Sequence, residues 1–221
     1  NIRSDAGALI TPSVSDKEMT EEKNSSFKPP KKTGHIFLSQ FSKDEGGSRF
    51  KLDKARHKLG FITGYGNEKA FNVMYTYEVI FFQFQYYYSL LEKKGWGVEL
   101  LLQPQYNITK YKNGFSGEEK MNGHEFGLNM GFLVRKNIVK GIFSSYVIIS
   151  AGPHYISGAP ERQADGFIFS DNFLAGISVK VFKSVYIDVR GGFRHLSNAG
   201  FENPNKGINS LILNTGLFLQ L

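Results

Sequence analysis

The segment from Val79 to Gln105, VIFFQFQYYYSLLEKKGWGVELLLQPQ, contains two stretches of alternating side chains around a short polar connection. On each side of EKKG, apolar residues occupy every second position, and glutamine or glutamate fills several of the positions between them. Side chains of a β-strand point alternately to opposite faces. The segment therefore predicts two strands joined by a tight turn, with one apolar face and one polar face.

The same period of two recurs from Lys58 to the C-terminal residue, and the intervening positions are rich in Gly, Ser, Asn and Gln. Connections are tight after the second, fourth and sixth predicted strands and much longer after the first, third, fifth and seventh. Eight strands are predicted, at 58–66, 75–91, 96–108, 125–136, 142–154, 169–182, 185–198 and 208–221.

An apolar outer face, a polar lumen, short turns at one end and long loops at the other are typical of a bacterial outer-membrane barrel. We predict an all-β fold: an eight-stranded antiparallel transmembrane β-barrel at residues 58–221, with a polar, partly extended N-terminal segment in the periplasm at residues 1–57. The even strand number places both barrel ends in the periplasm and the long loops outside the cell. A soluble lipocalin-like barrel is the alternative, but soluble exteriors are usually dominated by Lys and Glu.

Composition narrows the class of protein further. The chain has no cysteine, so thiol chemistry and disulfides are excluded. Its start, NIRSDAGALI, lacks the pattern of a secretory signal, and we expect a mature chain whose signal peptide has been removed. The formal net charge of +7 favours an anionic partner, and basic residues of the long loops are candidates for meeting lipid phosphates. These candidates are Lys110, Lys112, Lys120, Arg162 and Lys206.

A histidine and a serine lie two residues apart in FRHLSNAGFENPNKGIN, from Phe193 to Asn209. The alternation that turns Val189 toward lipid also turns His195 and Ser197 outward, and the last strand turns Asn209 outward beside them. Polar side chains on a lipid-facing surface are costly and usually functional. Serine with a histidine base is the pairing that makes a hydroxyl nucleophilic, although a chance His-x-Ser at a tolerant strand end remains the alternative.

RHLSNAG followed by NPNKGIN resembles the signature of the lipid A 3-O-deacylase family, called PagL-like. The resemblance implies an outer-membrane serine esterase of Gram-negative bacteria that removes the 3-O-linked acyl chain of lipid A in lipopolysaccharide. It implies that His195 is the general base and Ser197 the nucleophile. Residues matching the family's oxyanion region and loop are Asn198, Ala199, Gly200 and Asn205.

The chain departs from the family at Asn209, where the best-known members carry glutamate. An amide orients a histidine but does not neutralise its charge, and Asp→Asn in a serine triad costs about 10⁴ in rate. Slow catalysis, recruitment of another carboxylate such as Glu202, and lost catalysis all remain open. In the last case the barrel is expected to act as an accessory subunit of a larger outer-membrane complex, contacting other proteins through the N-terminal segment or the barrel wall.

No cofactor is implied by the sequence. The remaining histidines lack metal-ligand spacing, no phosphate-cradling glycine motif is present, and no groove for nucleic acid is indicated. The expected partners are lipid A in the outer leaflet and the membrane itself.

Overall fold

The computed structural model describes residues 56–112 and 119–221. Eight β-strands account for most of this part of the chain, with a single 3-10 turn at Lys69–Phe71 after the first strand. The strands are β1 (His57–Asn67), β2 (Thr76–Lys93), β3 (Trp96–Lys112), β4 (Met121–Val139), β5 (Phe143–Ile156), β6 (Gly166–Phe182), β7 (Val185–Ser197) and β8 (Ile208–Gln220).

Each strand pairs antiparallel with its neighbours in sequence, and β1 also pairs with β8, so the sheet closes into a barrel. Phe61 of β1, for example, lies opposite Phe84 of β2 and Leu217 of β8. Closure leaves no strand edge unpaired, as required where no water is available to satisfy the backbone. The predicted all-β, eight-stranded antiparallel barrel is confirmed.

The outer wall of the barrel is apolar. Side chains predicted to face lipid are exposed in every strand, among them Phe84 at 62% and Leu213 at 64%. No helix in the described ranges is long and apolar enough to cross a bilayer. Other exposed apolar residues of the wall include Phe61, Leu100, Phe132, Ile149, Phe173, Ile187 and Leu217.

The lumen is packed with side chains that are polar or charged, as predicted, but it also holds large apolar groups. Arg190 and Arg194 are both 1% exposed and face inward. The prediction of an interior of only polar or small residues was wrong at several positions, because apolar side chains also fill a narrow bore without needing hydrogen-bond partners. These apolar interior residues include Phe81, Leu101, Leu133, Ile148 and Leu174.

Glu125 of β4 is the centre of a buried polar network near the outer end of the lumen. Its carboxylate accepts hydrogen bonds from the Arg194 guanidinium and from Asn107 Nδ2 at 2.8 Å, and its Oε1 lies 2.8 Å from His154 Nδ1. The Tyr77 hydroxyl donates to Oε2 at 3.2 Å. The network joins β2, β3, β4, β5 and β7 across the bore, which fixes Arg194 between the two outward residues that flank it.

Several strands are longer than their alternation indicated. β4 begins at Met121 rather than at 125, β6 begins at Gly166 rather than at 169, and β3 continues to Lys112 rather than ending at 108. Pairs such as Tyr111–Met121 extend the sheet at its long-loop end with side chains that do not alternate in polarity. Polar and apolar side chains alternate only where one face of a strand meets hydrocarbon. A prediction from alternation therefore underestimates the length of strands that continue beyond the membrane.

The tight turns are where they were expected. Lys94 and Gly95, with φ of 52° and 78°, form a two-residue connection between β2 and β3, and both positions need the left-handed conformation that such hairpins favour. The extension at residues 1–57 lies outside the described residues except for Arg56 and His57, where β1 begins. Its periplasmic location stays a prediction.

Candidate active site

His195 and Ser197 lie on the outer face of β7, close to the end of the barrel that carries the long loops. Both side chains are partly exposed, whereas Arg194 and Leu196, their neighbours along the strand, are 1% exposed and point into the lumen. The sequence therefore predicted the orientation of this pair correctly.

His195 is joined to Asn209 of β8, its direct cross-strand partner. The imidazole Nδ1 lies 2.6 Å from the Asn209 Oδ1. Because a carbonyl oxygen only accepts, this contact selects the tautomer with hydrogen on Nδ1 and leaves a lone pair on Nε2. That is the tautomer that a general base for a nearby hydroxyl requires.

The backbone of Asn209 is held in turn by Tyr75, just before β2. The Asn209 N–H donates to the Tyr75 hydroxyl at 2.9 Å, and the hydroxyl is 3.3 Å from the Asn209 carbonyl oxygen. Burial raises the pKa of the Tyr75 phenol above its ordinary value, which keeps the hydroxyl protonated. Tyr75 therefore holds the backbone of Asn209, and the side chain of Asn209 orients His195.

The β1–β2 loop, residues 68–75, brings a second aromatic residue to this outer wall. Phe71 packs edge-to-face on the outward Phe193 of β7, with ring centroids 5.6 Å apart. Phe71 therefore covers the outer wall at Phe193, two residues before His195.

Gly207, the last residue before β8, lies against the edge of the imidazole. A Cβ placed on Gly207 would lie 2.5 Å from His195 Cε1, which is closer than real Cβ atoms approach, and 3.1 Å from Nε2. Gly207 also has a φ of +68°, a left-handed conformation that glycine adopts most readily. Glycine is therefore required here both by the backbone and by the neighbouring ring.

The β7–β8 loop, residues 198–207, is held by its own side chains. The Asn198 N–H donates to Asn205 Oδ1 at 2.9 Å, and the Gly200 N–H donates to Asn198 Oδ1 at 3.0 Å. Asn198 Nδ2 donates to the carbonyl oxygen of Glu202 at 2.7 Å. Within the described residues, the Ala199 N–H and Asn205 Nδ2 have no acceptor, so these two donors are available to a ligand.

The β5–β6 loop, residues 157–165, braces the β7–β8 loop from the other side. Gln163 Oε1 accepts from the Gly207 N–H at 3.1 Å, and Gln163 forms a β-bridge with Asn205. Arg162 donates to the Lys206 carbonyl oxygen at 2.8 Å while its guanidinium lies 4.7 Å from the centre of the Tyr75 ring. Sequence reasoning did not find Gln163, and it named Arg162 only as a candidate for lipid phosphates, because only the folded loops bring these contacts together.

Ser197 is bordered by aromatic side chains on the β6 side. Its cross-strand partner is Phe169, which packs edge-to-face with Phe167 at 5.2 Å between centroids. Phe201, from the loop that follows Ser197, lies 6.3 Å from both rings. The Ser197 hydroxyl has no hydrogen-bond partner among the described residues, so His195 does not contact it through a hydrogen bond in this structure.

Asp171 of β6 is a neighbour of the site that sequence reasoning missed. It lies directly opposite His195 in the β6–β7 register, on the side away from Asn209. A signal was present, because Asp171 has the same parity as the outward Phe173 and is therefore an acid on the lipid-facing side of its strand.

The basic residues of the loops differ in their availability. Lys120 is paired with Glu78 at 2.8 Å, and Arg162 is engaged as described above. Lys206 is exposed, directly precedes Gly207, and its side chain has no hydrogen bond or ion pair among the described residues.

The closed barrel has an apolar outer belt, and a histidine, a serine and an orienting amide lie on its outer wall near the long loops. These features define a membrane β-barrel. Its candidate site faces the lipid leaflet and not the lumen. The family model described as Lipid A 3-O-deacylase (PagL) matches residues 79–218. The chain belongs to this family and is an outer-membrane β-barrel. The match runs from within β2 to within β8 and includes His195, Ser197 and Asn209, whereas Phe71 and Tyr75 precede it.

Three solved structures are similar to this chain. The outer membrane enzyme PagL is 15% identical, with a TM-score of 0.49, over 72% of this chain and 97% of that chain. Neisserial surface protein A is 11% identical, with a TM-score of 0.49, over 75% and 97%. The attachment invasion locus protein Ail of Yersinia pestis is 14% identical, with a TM-score of 0.38, over 74% and 97%. No curated protein matches the chain in sequence.

Proposed function

We propose that the chain is a serine esterase of the outer membrane that removes the 3-O-linked acyl chain of lipid A. The observation that carries this proposal is the 2.6 Å contact between His195 Nδ1 and Asn209 Oδ1 on the outer wall, with Ser197 on the same face of the same strand as His195. Membership of the lipid A 3-O-deacylase family supports the substrate class.

In the proposed reaction, the Ser197 hydroxyl attacks the ester carbonyl while its proton passes to His195 Nε2. The tetrahedral intermediate collapses when the sugar hydroxyl leaves with that proton, and the acyl group stays on Ser197. Water, deprotonated by the same Nε2, then releases the fatty acid and restores the serine. Asn209 keeps the required tautomer throughout.

The negative oxygen of each intermediate needs donors in a fixed position. The Ala199 N–H and Asn205 Nδ2 are suited to this role because no described residue accepts from either. The N–H groups of Asn198 and Gly200 are less suited, because each already donates a hydrogen bond to a side chain of the same loop.

The outer wall also suits an acyl-chain substrate. The cluster of Phe167, Phe169 and Phe201 borders Ser197, which gives the chain to be released an apolar surface beside the nucleophile. Lys206, an exposed cation next to Gly207, is the candidate for binding a phosphate of lipid A. No cofactor is needed for this ester hydrolysis.

The test compares lipid A from Gram-negative membranes that contain the full chain, the Ser197→Ala variant or no protein. Mass spectrometry is expected to show loss of one acyl chain, at position 3, only with the unaltered chain. Ser145→Ala is the matched control, because Ser145 is a partly exposed serine on the outer face of β5, far along the chain from the site. Unchanged lipid A in membranes that contain the folded barrel would overturn the proposal.

Asn209 favours a second candidate, in which the site has lost catalysis and the barrel serves as an accessory subunit of an outer-membrane assembly. The missing carboxylate is the observation behind it, since an amide supplies no charge to a serine–histidine pair. This candidate predicts unchanged lipid A together with a stoichiometric protein partner after mild detergent extraction. The unaltered chain purified alone with esterase activity would rule it out.

A further inference from the structure

The amide at position 209 leaves an electrostatic requirement unmet. When a histidine takes the proton of a serine it becomes positively charged, and a nearby carboxylate normally stabilises that charge. Asn209 orients the ring but carries no charge. If the site works as proposed above, the stabilising charge has to come from another residue.

Asp171 carries a carboxylate on the strand beside His195. It is the cross-strand partner of His195 on β6, as Asn209 is its partner on β8. Directly opposed residues on one face of an antiparallel pair have Cβ atoms about 4.5–5.5 Å apart. His195 therefore lies in a row of three outward side chains, between a carboxylate and an amide.

Within the described residues, Asp171 lies beside apolar side chains and has no ion-pair partner. Its outward neighbours along β6 are Phe169 and Phe173, and it has no hydrogen bond or ion pair among the described residues. A carboxylate on a lipid-facing wall is expensive and usually has a function. The distance from Asp171 to the His195 nitrogens exceeds that of a salt bridge, so the carboxylate acts across a gap rather than by a direct bond.

The other charged and titratable groups near His195 are less suitable. Glu202 is exposed on the β7–β8 loop, and its described contact with the site is made by its backbone carbonyl oxygen. Lys206 and Arg162 are cations, which oppose a positive imidazole, and Tyr75 is a neutral phenol that holds the backbone of Asn209.

We propose that the functions of the usual triad acid are divided in this chain: Asn209 of β8 orients His195, and Asp171 of β6 supplies the negative charge that stabilises its protonated form. Asp171 acts only through His195, by its charge, and does not touch the substrate. The inference rests on the proposed deacylase function.

The test moves the charge from one side of the ring to the other. Asp171→Asn is expected to lower kcat about tenfold, the effect of removing one nearby charge, with KM unchanged. Asp171→Glu is expected to keep most of the activity, and Asn209→Asp introduced into the Asp171→Asn variant is expected to restore it. Asp165→Asn is the matched control, an exposed acid in the loop before β6.

A second measurement does not depend on activity. In detergent micelles, the ¹⁵N chemical shifts of the His195 ring report the fraction of charged imidazole at a fixed pH. This fraction is expected to fall several-fold in Asp171→Asn and to remain unchanged in Asp165→Asn. A merely structural role for Asp171 would not produce recovery of both readouts when the carboxylate is moved to position 209.

The outcomes separate the two proposals. A folded unaltered chain without deacylase activity overturns the proposed function, whereas the ring measurement still tests the coupling of Asp171 to His195. Equal activity and equal charged fraction in Asp171→Asn overturn the inference. If Asp171→Asn lowers the yield of folded barrel, the Asp171→Glu variant and the double variant carry the test, and failure of the double variant to recover the charged fraction overturns the inference.

Discussion

His195 and Asn209 face each other across β7 and β8 on the outer wall of the barrel, with 2.6 Å between Nδ1 and Oδ1. In the proposed mechanism, the orienting amide and the base are therefore both held by strands of one sheet. Rigid elements hold a catalytic geometry more accurately than loops do.

Asn209→Ala removes the acceptor that fixes the imidazole tautomer. We expect kcat to fall about 10²-fold, the usual contribution of a positioned general base. The measurement is the rate of acyl release from lipid A in detergent. Asn122→Ala is the control, because Asn122 is exposed at the start of β4, and activity equal to that of the control would show that the amide has no role.

Tyr75→Phe removes the hydroxyl that accepts from the Asn209 N–H. An unsatisfied buried donor costs about 1–3 kcal/mol, so Asn209 should shift and the acyl-release rate should fall several-fold. Tyr155→Phe serves as the control, since the Tyr155 ring stacks on Phe126 and its hydroxyl has no partner among the described residues. Identical rates for the two variants would contradict the role assigned to Tyr75.

Gly207→Ala places a methyl group against the His195 ring. We expect a folded barrel with most of the proposed esterase activity lost, because the ring has to rotate away from its contact with Asn209. Gly141→Ala is a closely matched control: Gly141 has a φ of +71°, and no atom lies within 4 Å of the position that a Cβ would take there. Folding is followed by heat-dependent mobility in gel electrophoresis, and an equal loss of activity in both variants would indicate backbone strain as the cause.

Glu125→Gln removes the charge that compensates Arg194 in the lumen. Breaking a buried ion pair by neutralising one partner costs about 3–5 kcal/mol, so the free energy of unfolding in urea should fall by about that amount. Glu78→Gln, which affects the exposed pair with Lys120, should change the unfolding free energy little. A similar effect of both variants would show that the lumen network adds no stability beyond that of a surface pair.

The sequence predicted the strands and the outward orientation of His195, Ser197 and Asn209 because hydrocarbon contact imposes a strict period of two. It did not predict the apolar lumen residues such as Phe81, since close packing in the bore depends on which side chains meet across it. The contacts of Tyr75 and Gln163 depend on loop geometry, which carries no period. The same parity argument predicts that Asp171 faces outward, but its position opposite His195 follows only from the register of β6 against β7.

The bore itself has a consequence for the cell. Arg190 donates to the Tyr87 hydroxyl at 3.0 Å across the interior, and Glu125 and its partners fill the level above. At these two levels, buried side chains from facing strands meet across the bore and narrow any water path through it. In a planar bilayer the barrel should be electrically silent, and a bacterium that produces it in quantity should be no more permeable to nutrients or antibiotics than before.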